Sequence, residues 1–213
     1  METKNKETYW SRFVDEYEEK QQFVVGKVLI SLTKQEILKE QNLGKVLELG
    51  CGTGLYTETL QKMAKSVVAT DFSDEMIEVA ILKRGYLRNV EFLKADALNL
   101  PFEDESFDTI FMANLIHVIG NAERVIQESK RVLKTGGQLI ITSFAINDMN
   151  FFSRMAMGIR YIKTFGKPSD EATKEKTTKK SIENLLLKNG FEISKSVILG
   201  KKSKAFYISC VKN

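Results

Sequence analysis

The chain has 213 residues, 43% apolar and 28% charged, with two prolines, two cysteines and one histidine. This is enough apolar material for one compact domain with at most a modest extra lobe, and it excludes a Pro-rich linker, a disulfide framework and a His/Cys metal cage. The net charge of +4 is too mild to argue for nucleic acid, but it is unevenly spread: residues 151–213 carry 14 Lys/Arg against 5 Asp/Glu, and the first 150 carry 18 against 23.

In chain order, Tyr9, Trp10, Phe13, Val14 and Tyr17 recur at helical spacing, and a second helix is expected from Phe23 to Glu40, broken by Gly44. Strand and helix then alternate. Lys45–Leu49 is a short apolar strand, Leu55–Ala64 a helix and Ser66–Thr70 a β-branched strand. Ser73 is placed to cap a helix through Ile81. Val90–Lys94 and Thr109–Ala113 read as strands, 122–133 as a helix, and Gln138–Ser143 as a strand after the Gly136-Gly137 pair. Apolar strands separated by helices pair in parallel through right-handed crossovers, so the fold class is α/β with helices on both faces of the sheet. After a helix near Thr178–Asn189, Phe191–Leu199 and Ala205–Val211 form a hairpin, which adds an antiparallel strand.

The segment VLELGCGTG, residues 46–54, places Gly50, Gly52 and Gly54 between a strand and a helix, where a backbone without Cβ can approach a ligand. A dinucleotide fingerprint needs its third glycine at position 55, which is Leu55, and no Gly-Lys-Ser/Thr follows as in a phosphate loop. A nicotinamide oxidoreductase is thereby disfavoured. Asp71 ends the second strand, where an acid accepts from ribose hydroxyls. Asp96-Ala97 ends the third, where a carboxylate and a backbone N–H can read an adenine edge. These features describe an adenosine site, although Asp71 and Asp96 could also serve as local caps.

Five pieces in order carry a family resemblance: YWSRFVDEYEE at 9–19, VLELGCGTG at 46–54, VVATDFSDEMIEVA at 67–80, FLKADALNLPFEDESFDTIFMANLIHVI at 92–119 and RVLKTGGQLIITSF at 131–144. Over essentially the whole chain the sequence resembles the class I S-adenosylmethionine-dependent methyltransferases, most closely their small-molecule and quinone branch. The resemblance implies a Rossmann-like seven-stranded sheet of order 3-2-1-4-5-7-6, strand seven antiparallel. It implies one domain, with a helical lid at 1–43, a cofactor core at 44–144, a variable substrate segment at 145–190 and a hairpin at 191–213. It carries S-adenosylmethionine as cofactor, with S-adenosylhomocysteine as product. Gly50, Gly52 and Gly54 would lie along the cofactor, with Cys51 between them as a small, tight-fitting residue and Glu48 ordering the loop near the methionine amino group. Asp71 would hold the ribose and Phe72 flank the adenine, with Met76 in the same stretch. Asp96 and Ala97 would read the adenine edge, and the Asn114 backbone would lie near the methionine group. Tyr9, Arg12 and Tyr17 would sit on the closing helix.

A sulfonium methyl needs no acid, so positioning and exclusion of water carry most of the transfer. His117 is the candidate base, if the acceptor needs one. The Asn/Asp-Pro-Pro-aromatic tetrad of base-amino methyltransferases is replaced by Ala113-Asn114-Leu115-Ile116, which disfavours DNA; RNA is not expected either. The acceptor is expected to be a small molecule methylated on O, N or C. A protein that binds the cofactor without turnover remains the alternative. After strand five, Asn150 could cap a helix placing Phe151, Phe152, Met155, Ile159 and Ile162 on one face, beside Arg154, Lys163 and Lys167. Such a helix could be a lid over an apolar or acidic acceptor, a helix reaching lipid, or a helix packed on the core. The polar start METKNKETYW, no run of ~18 apolar residues and the sparse thiols suggest a cytoplasmic protein without membrane insertion.

Overall fold

The computed structural model describes residues 16–166 and 177–213. Seven strands form one sheet in the order β3-β2-β1-β4-β5-β7-β6. They are β1 Lys45–Leu49, β2 Ser66–Asp71, β3 Val90–Lys94, β4 Phe107–Ala113, β5 Leu133–Phe144, β6 Phe191–Leu199 and β7 Ala205–Lys212. The first five pair in parallel, and β7 runs antiparallel between β5 and β6. β1 sits between β2 and β4, with Val46 opposite both Val67 and Thr109. The strand order reverses there, so the crevice at the carboxyl ends of β1 and β4 is where such a sheet takes a ligand.

The helices are α1 Tyr17–Val25, α2 Lys27–Ile37, α3 Thr57–Met63, α4 Asp74–Arg84, α5 Ala122–Val132, α6 Phe151–Phe165 and α7 Lys179–Lys188. Successive strand residues face opposite layers. Val46, Phe111, Ile140 and Tyr207 pack towards α1, α2 and α3, with Met157 and Phe165 of α6 in the same cluster. Leu47, Ile110, Leu139 and Ile208 pack towards α5 and α7. A sheet covered on both faces needs runs of consecutive apolar residues, and Ile110–Met112 of β4 and Leu139–Ile141 of β5 meet that need.

Three expected boundaries move. The single helix expected over Phe23–Glu40 is two, because Gly26 has φ 91° and breaks the chain between α1 and α2. The helix expected from Leu55 begins at Thr57, since residues 52–56 are turns. β5 starts at Leu133 and takes Gly136-Gly137 into the strand, with an irregular register between Phe107 and Thr109 of β4. A Cβ on Gly137 would meet the Asp108 carbonyl at 2.9 Å, so glycine permits the close approach there. The expected helix over Tyr9–Tyr17 lies outside the described residues except for Glu16 and Tyr17. The residues between Asp148 and Phe151 carry the Asn150 cap, whose side chain accepts from the Ser153 N–H at 2.9 Å.

Candidate functional site

After β1 the loop turns through three left-handed glycines, Gly50, Gly52 and Gly54, at φ 68°, 55° and 87°. A Cβ would meet Leu115 at 3.1 Å from Gly50 and Arg84 Cδ at 2.7 Å from Gly54. Conformation therefore demands glycine at all three positions, and space adds to it at Gly50 and Gly54. The Cys51 N–H donates to the Thr70 carbonyl, which ties the loop to the end of β2. The Cys51 thiol is buried and its pKa is pushed well up by that burial, so it is no thiolate nucleophile.

Asp71 joins the loop to α4. One carboxylate oxygen accepts from the Gly52 N–H at 2.8 Å, the other from the Ser73 N–H at 3.0 Å. Ser73 in turn caps α4 by accepting from the Met76 N–H at 3.2 Å, and Met76 is buried. Burial raises the Asp71 pKa against the pull of these backbone donors. A carboxylate has about four acceptor sites, so these backbone donors leave it capacity for a ligand hydroxyl. The local-cap role and the ligand role are compatible in one group.

Glu48 points into the α2–α3 layer and is almost wholly buried. Its Oε2 accepts from the Thr57 hydroxyl, and its carbonyl accepts from the Thr70 hydroxyl at 2.8 Å. Burial pushes the carboxyl up to about 8, with Thr57 and Arg84 pulling the other way. It is mainly protonated at neutral pH, and a cation brought against it would ionise it.

α1 closes over the loop. Tyr17 lies 3.6 Å from where a Gly52 Cβ would be. Burial and the charge of Asp71 raise the pKa of its phenol. Glu18 accepts from the Thr53 hydroxyl at 2.8 Å and from Arg84 at 2.7 Å, and Arg84 also donates to the Thr53 carbonyl at 2.8 Å. Glu58 stands 3.6 Å from the same guanidinium. Burial opposes ionisation of Glu18, but the Arg84 and Thr53 hydrogen bonds outweigh it and hold its pKa low. Glu18, Thr53 and Arg84 form a latch that spacing alone does not reveal. Arg84 sits in the last turn of α4, where a cation ordinarily just favours the helix dipole. The cavity left between α1 and the loop is about 30 Å³, lined by Tyr17, Gln21, Gly50, Cys51, Gly52, Thr53, Leu55, Tyr56 and Ala113. Ligand pockets span ~300–1,000 Å³, so this cavity as it stands is too small for a nucleoside.

The remaining strand ends bring their candidates to the same edge. Asp96 accepts from the Leu98 N–H at 2.9 Å, with Ala97 buried behind it. Phe72 is half-buried, and Lys94 Nζ stands 5.8 Å from its ring centroid. Asn114 holds φ 57°, an uncommon value for a residue with a side chain, and its N–H donates to the Thr142 carbonyl, so its carbonyl is the backbone group left to face a ligand. His117 Nδ1 is 2.8 Å from the Ser143 hydroxyl, and its ring packs edge-on to Phe144 at 5.2 Å. Burial pushes the imidazole down to about 4, so it is neutral at physiological pH. Ser143 was not legible as its partner, since it reads as an ordinary strand residue. Tyr9 and Arg12 lie outside the described residues. The face of α6 carrying Phe151, Phe152, Met155, Ile159 and Ile162 turns to solvent, not onto the site. The opposite face packs inward, and Phe165 meets Tyr17 with ring centroids 6.3 Å apart.

The chain is similar to known methyltransferases in sequence and in fold. The methyltransferase domain family matches residues 47–141. The chain is 37% identical over 101 residues to a demethylmenaquinone methyltransferase of Clavibacter sepedonicus, covering 47% of this chain and 41% of that protein. It is 33% identical over 144 residues to a phosphatidylethanolamine N-methyltransferase of Cereibacter sphaeroides, covering 66% of this chain and 70% of that one. The chain spans about half the length of the curated demethylmenaquinone methyltransferases it matches. A crystal structure of a SAM-dependent methyltransferase from Thermotoga maritima, described as a possible histamine N-methyltransferase, superposes with a TM-score of 0.74 at 26% identity, covering 97% of this chain and 99% of that one.

Proposed function

The chain belongs to the class I S-adenosylmethionine-dependent methyltransferases, and on that premise we propose that it methylates a small-molecule acceptor on O, N or C, within the small-molecule and quinone branch. The observation that carries this reading is the Asp71 carboxylate, fixed by the Gly52 and Ser73 N–H groups at the end of β2 with acceptor capacity to spare. The residues fit the cofactor, because the loop turns through three left-handed glycines, two of them without room for a Cβ, and a buried carboxyl beside it could pair with a cation. S-adenosylmethionine, when bound, supplies a methyl group already activated by its sulfonium.

The chain's own residues bind, orient and exclude water. Asp71 would hold the ribose hydroxyls and Phe72 would flank the adenine, with the buried Met76 in the same stretch. Asp96 and the Ala97 N–H would read its edge. Gly50, Cys51, Gly52 and Gly54 would lie along the cofactor, and the Asn114 carbonyl would face its methionine end. Glu48, protonated while buried alone, would ionise against the methionine ammonium. Tyr17 closes the lid, with Tyr9 and Arg12 on the same N-terminal segment. His117 positions the acceptor rather than acting as its base, because a buried imidazole depressed to about 4 is a poor proton acceptor. Burial of both cysteines fits a reducing cytoplasm.

The demethylmenaquinone and phosphatidylethanolamine relatives favour an acceptor with an apolar body. Incubation with methyl-labelled cofactor and a panel of quinones, amines and lipid headgroups tests the proposal. Label should move to one acceptor class. Tight cofactor binding without transfer to any member of the panel would favour the turnover-free alternative.

A further inference from the structure

α6 packs inward through Met157, Tyr161 and Phe165. Its outer face is apolar as well. Phe151, Phe152, Met155, Ile159 and Ile162 are 62, 76, 49, 48 and 55% exposed. At 3.6 residues per turn these five fall within one stripe about 100° wide, on a helix about 22 Å long. α6 contains no acid. Arg154 borders the stripe on one side and Lys163 on the other; both are exposed, and neither side chain pairs with a described residue. At the start of α6, Ile146 is also exposed. The β6–β7 turn abuts that end, since Lys204 Nζ donates to the Asp148 carbonyl and its own carbonyl accepts from the Ala145 N–H. The same turn adds the exposed Lys201 and Lys202.

We propose that α6 docks this protein on an anionic lipid bilayer, lying in the interface with its stripe among the upper acyl chains and its cations on the headgroup phosphates. The charge decides the occupant. A second copy paired across a twofold axis would bring the flanking cations of one α6 against those of the other. An anionic surface turns the same cations into attraction, worth about fivefold in binding for each Lys or Arg near the surface. Among the described residues no helix is long and apolar enough to cross a membrane, so α6 lies on the bilayer. Docking deepens the methyl-transfer reading and rests on it only for its purpose. The Phe165 end of α6 meets Tyr17 in a tilted ring contact, and Tyr17 lines the cavity at the glycine loop, so docking through α6 would bring the site close to the bilayer.

The full chain is sedimented with phosphatidylcholine vesicles, with and without one third phosphatidylglycerol. Wild type should bind the anionic vesicles and lose most of that binding without phosphatidylglycerol or in high salt. Arg154→Gln with Lys163→Gln should weaken binding ~20-fold. Phe151→Ser, Phe152→Ser and Ile159→Ser combined should weaken it ~100-fold or more. All three positions are exposed, so melting temperature and S-adenosylhomocysteine affinity should be retained, which separates lost docking from lost folding. Absent wild-type binding, or equal binding by the triple variant, would overturn the proposal. A wild-type dimer in light scattering that the triple variant abolishes would also overturn it and give the stripe to a second copy. Failure of wild type to bind S-adenosylhomocysteine would instead contradict the methyl-transfer reading, whatever the vesicles show.

Discussion

The glycine loop and α6 stand at the same edge of the sheet and are built on opposite terms. In the loop, Gly52, Cys51 and Gly54 all spend their N–H groups within the protein, and the Arg84–Glu18–Thr53 latch closes over them. In α6, two of fifteen residues are buried, and the apolar surface faces outward. The loop is over-determined because a single ligand shape must be met by backbone atoms. α6 is under-determined within the chain, which is what a surface made for something outside the chain looks like.

Glycine substitution in the two regions sharpens the contrast most. Gly54→Ala places a Cβ 2.7 Å from Arg84 Cδ at φ 87°. It should cost about 3 kcal/mol or more and weaken S-adenosylhomocysteine binding at least ~100-fold, read by melting and calorimetry. Next in size is the latch. Glu18→Ala strips Arg84 of its 2.7 Å partner and leaves Glu58 at 3.6 Å, so stability should drop about 2–4 kcal/mol. α1 should then exchange its amide hydrogens faster, with the difference shrinking when ligand holds the lid down.

Glu48 gives a pH signature. Its folded pKa of about 8 lies above the ordinary 4.5, so between these values the folded chain holds a proton that the unfolded chain has lost. That contribution is fully present below about pH 4.5 and is lost as pH rises through about 8. Wild type should therefore lose melting temperature across that window, and Glu48→Gln should lose less. Cofactor binding at neutral pH should release up to one proton, seen by calorimetry in buffers of different ionisation enthalpy. Glu48→Gln should abolish that release. The smallest effect belongs to α6. Gly158 meets nothing within 4 Å, so Gly158→Ala should stabilise by about 0.5–1 kcal/mol and leave cofactor affinity alone. A Gly158→Ala variant as damaged as Gly54→Ala would erase the distinction between the regions.

The strands were legible because they are continuous apolar runs with turn residues between them, and the hairpin at 191–211 announced an antiparallel strand, whereas the strand order came from the family resemblance. The loop and both acids were legible because adjacent backbone and side-chain groups make them. Arg84, Glu18 and Ser143 were not, because their roles depend on partners 66 and 26 residues away in sequence. The break at Gly26 was missed for a local reason, since apolar spacing continues across it while its φ does not. The outward face of α6 could not be told from a lid by periodicity, which gives a face but not its direction.

The central claim is that the carboxyl ends of β1 to β4 form an S-adenosyl site organised by Asp71. Calorimetry of S-adenosylhomocysteine with wild type and Asp71→Ala tests it directly. The account predicts that the variant, folded by circular dichroism, binds at least ~10-fold more weakly, because charge-assisted hydrogen bonds worth ~1.5–3 kcal/mol each are removed. Unchanged affinity in a folded variant would contradict it.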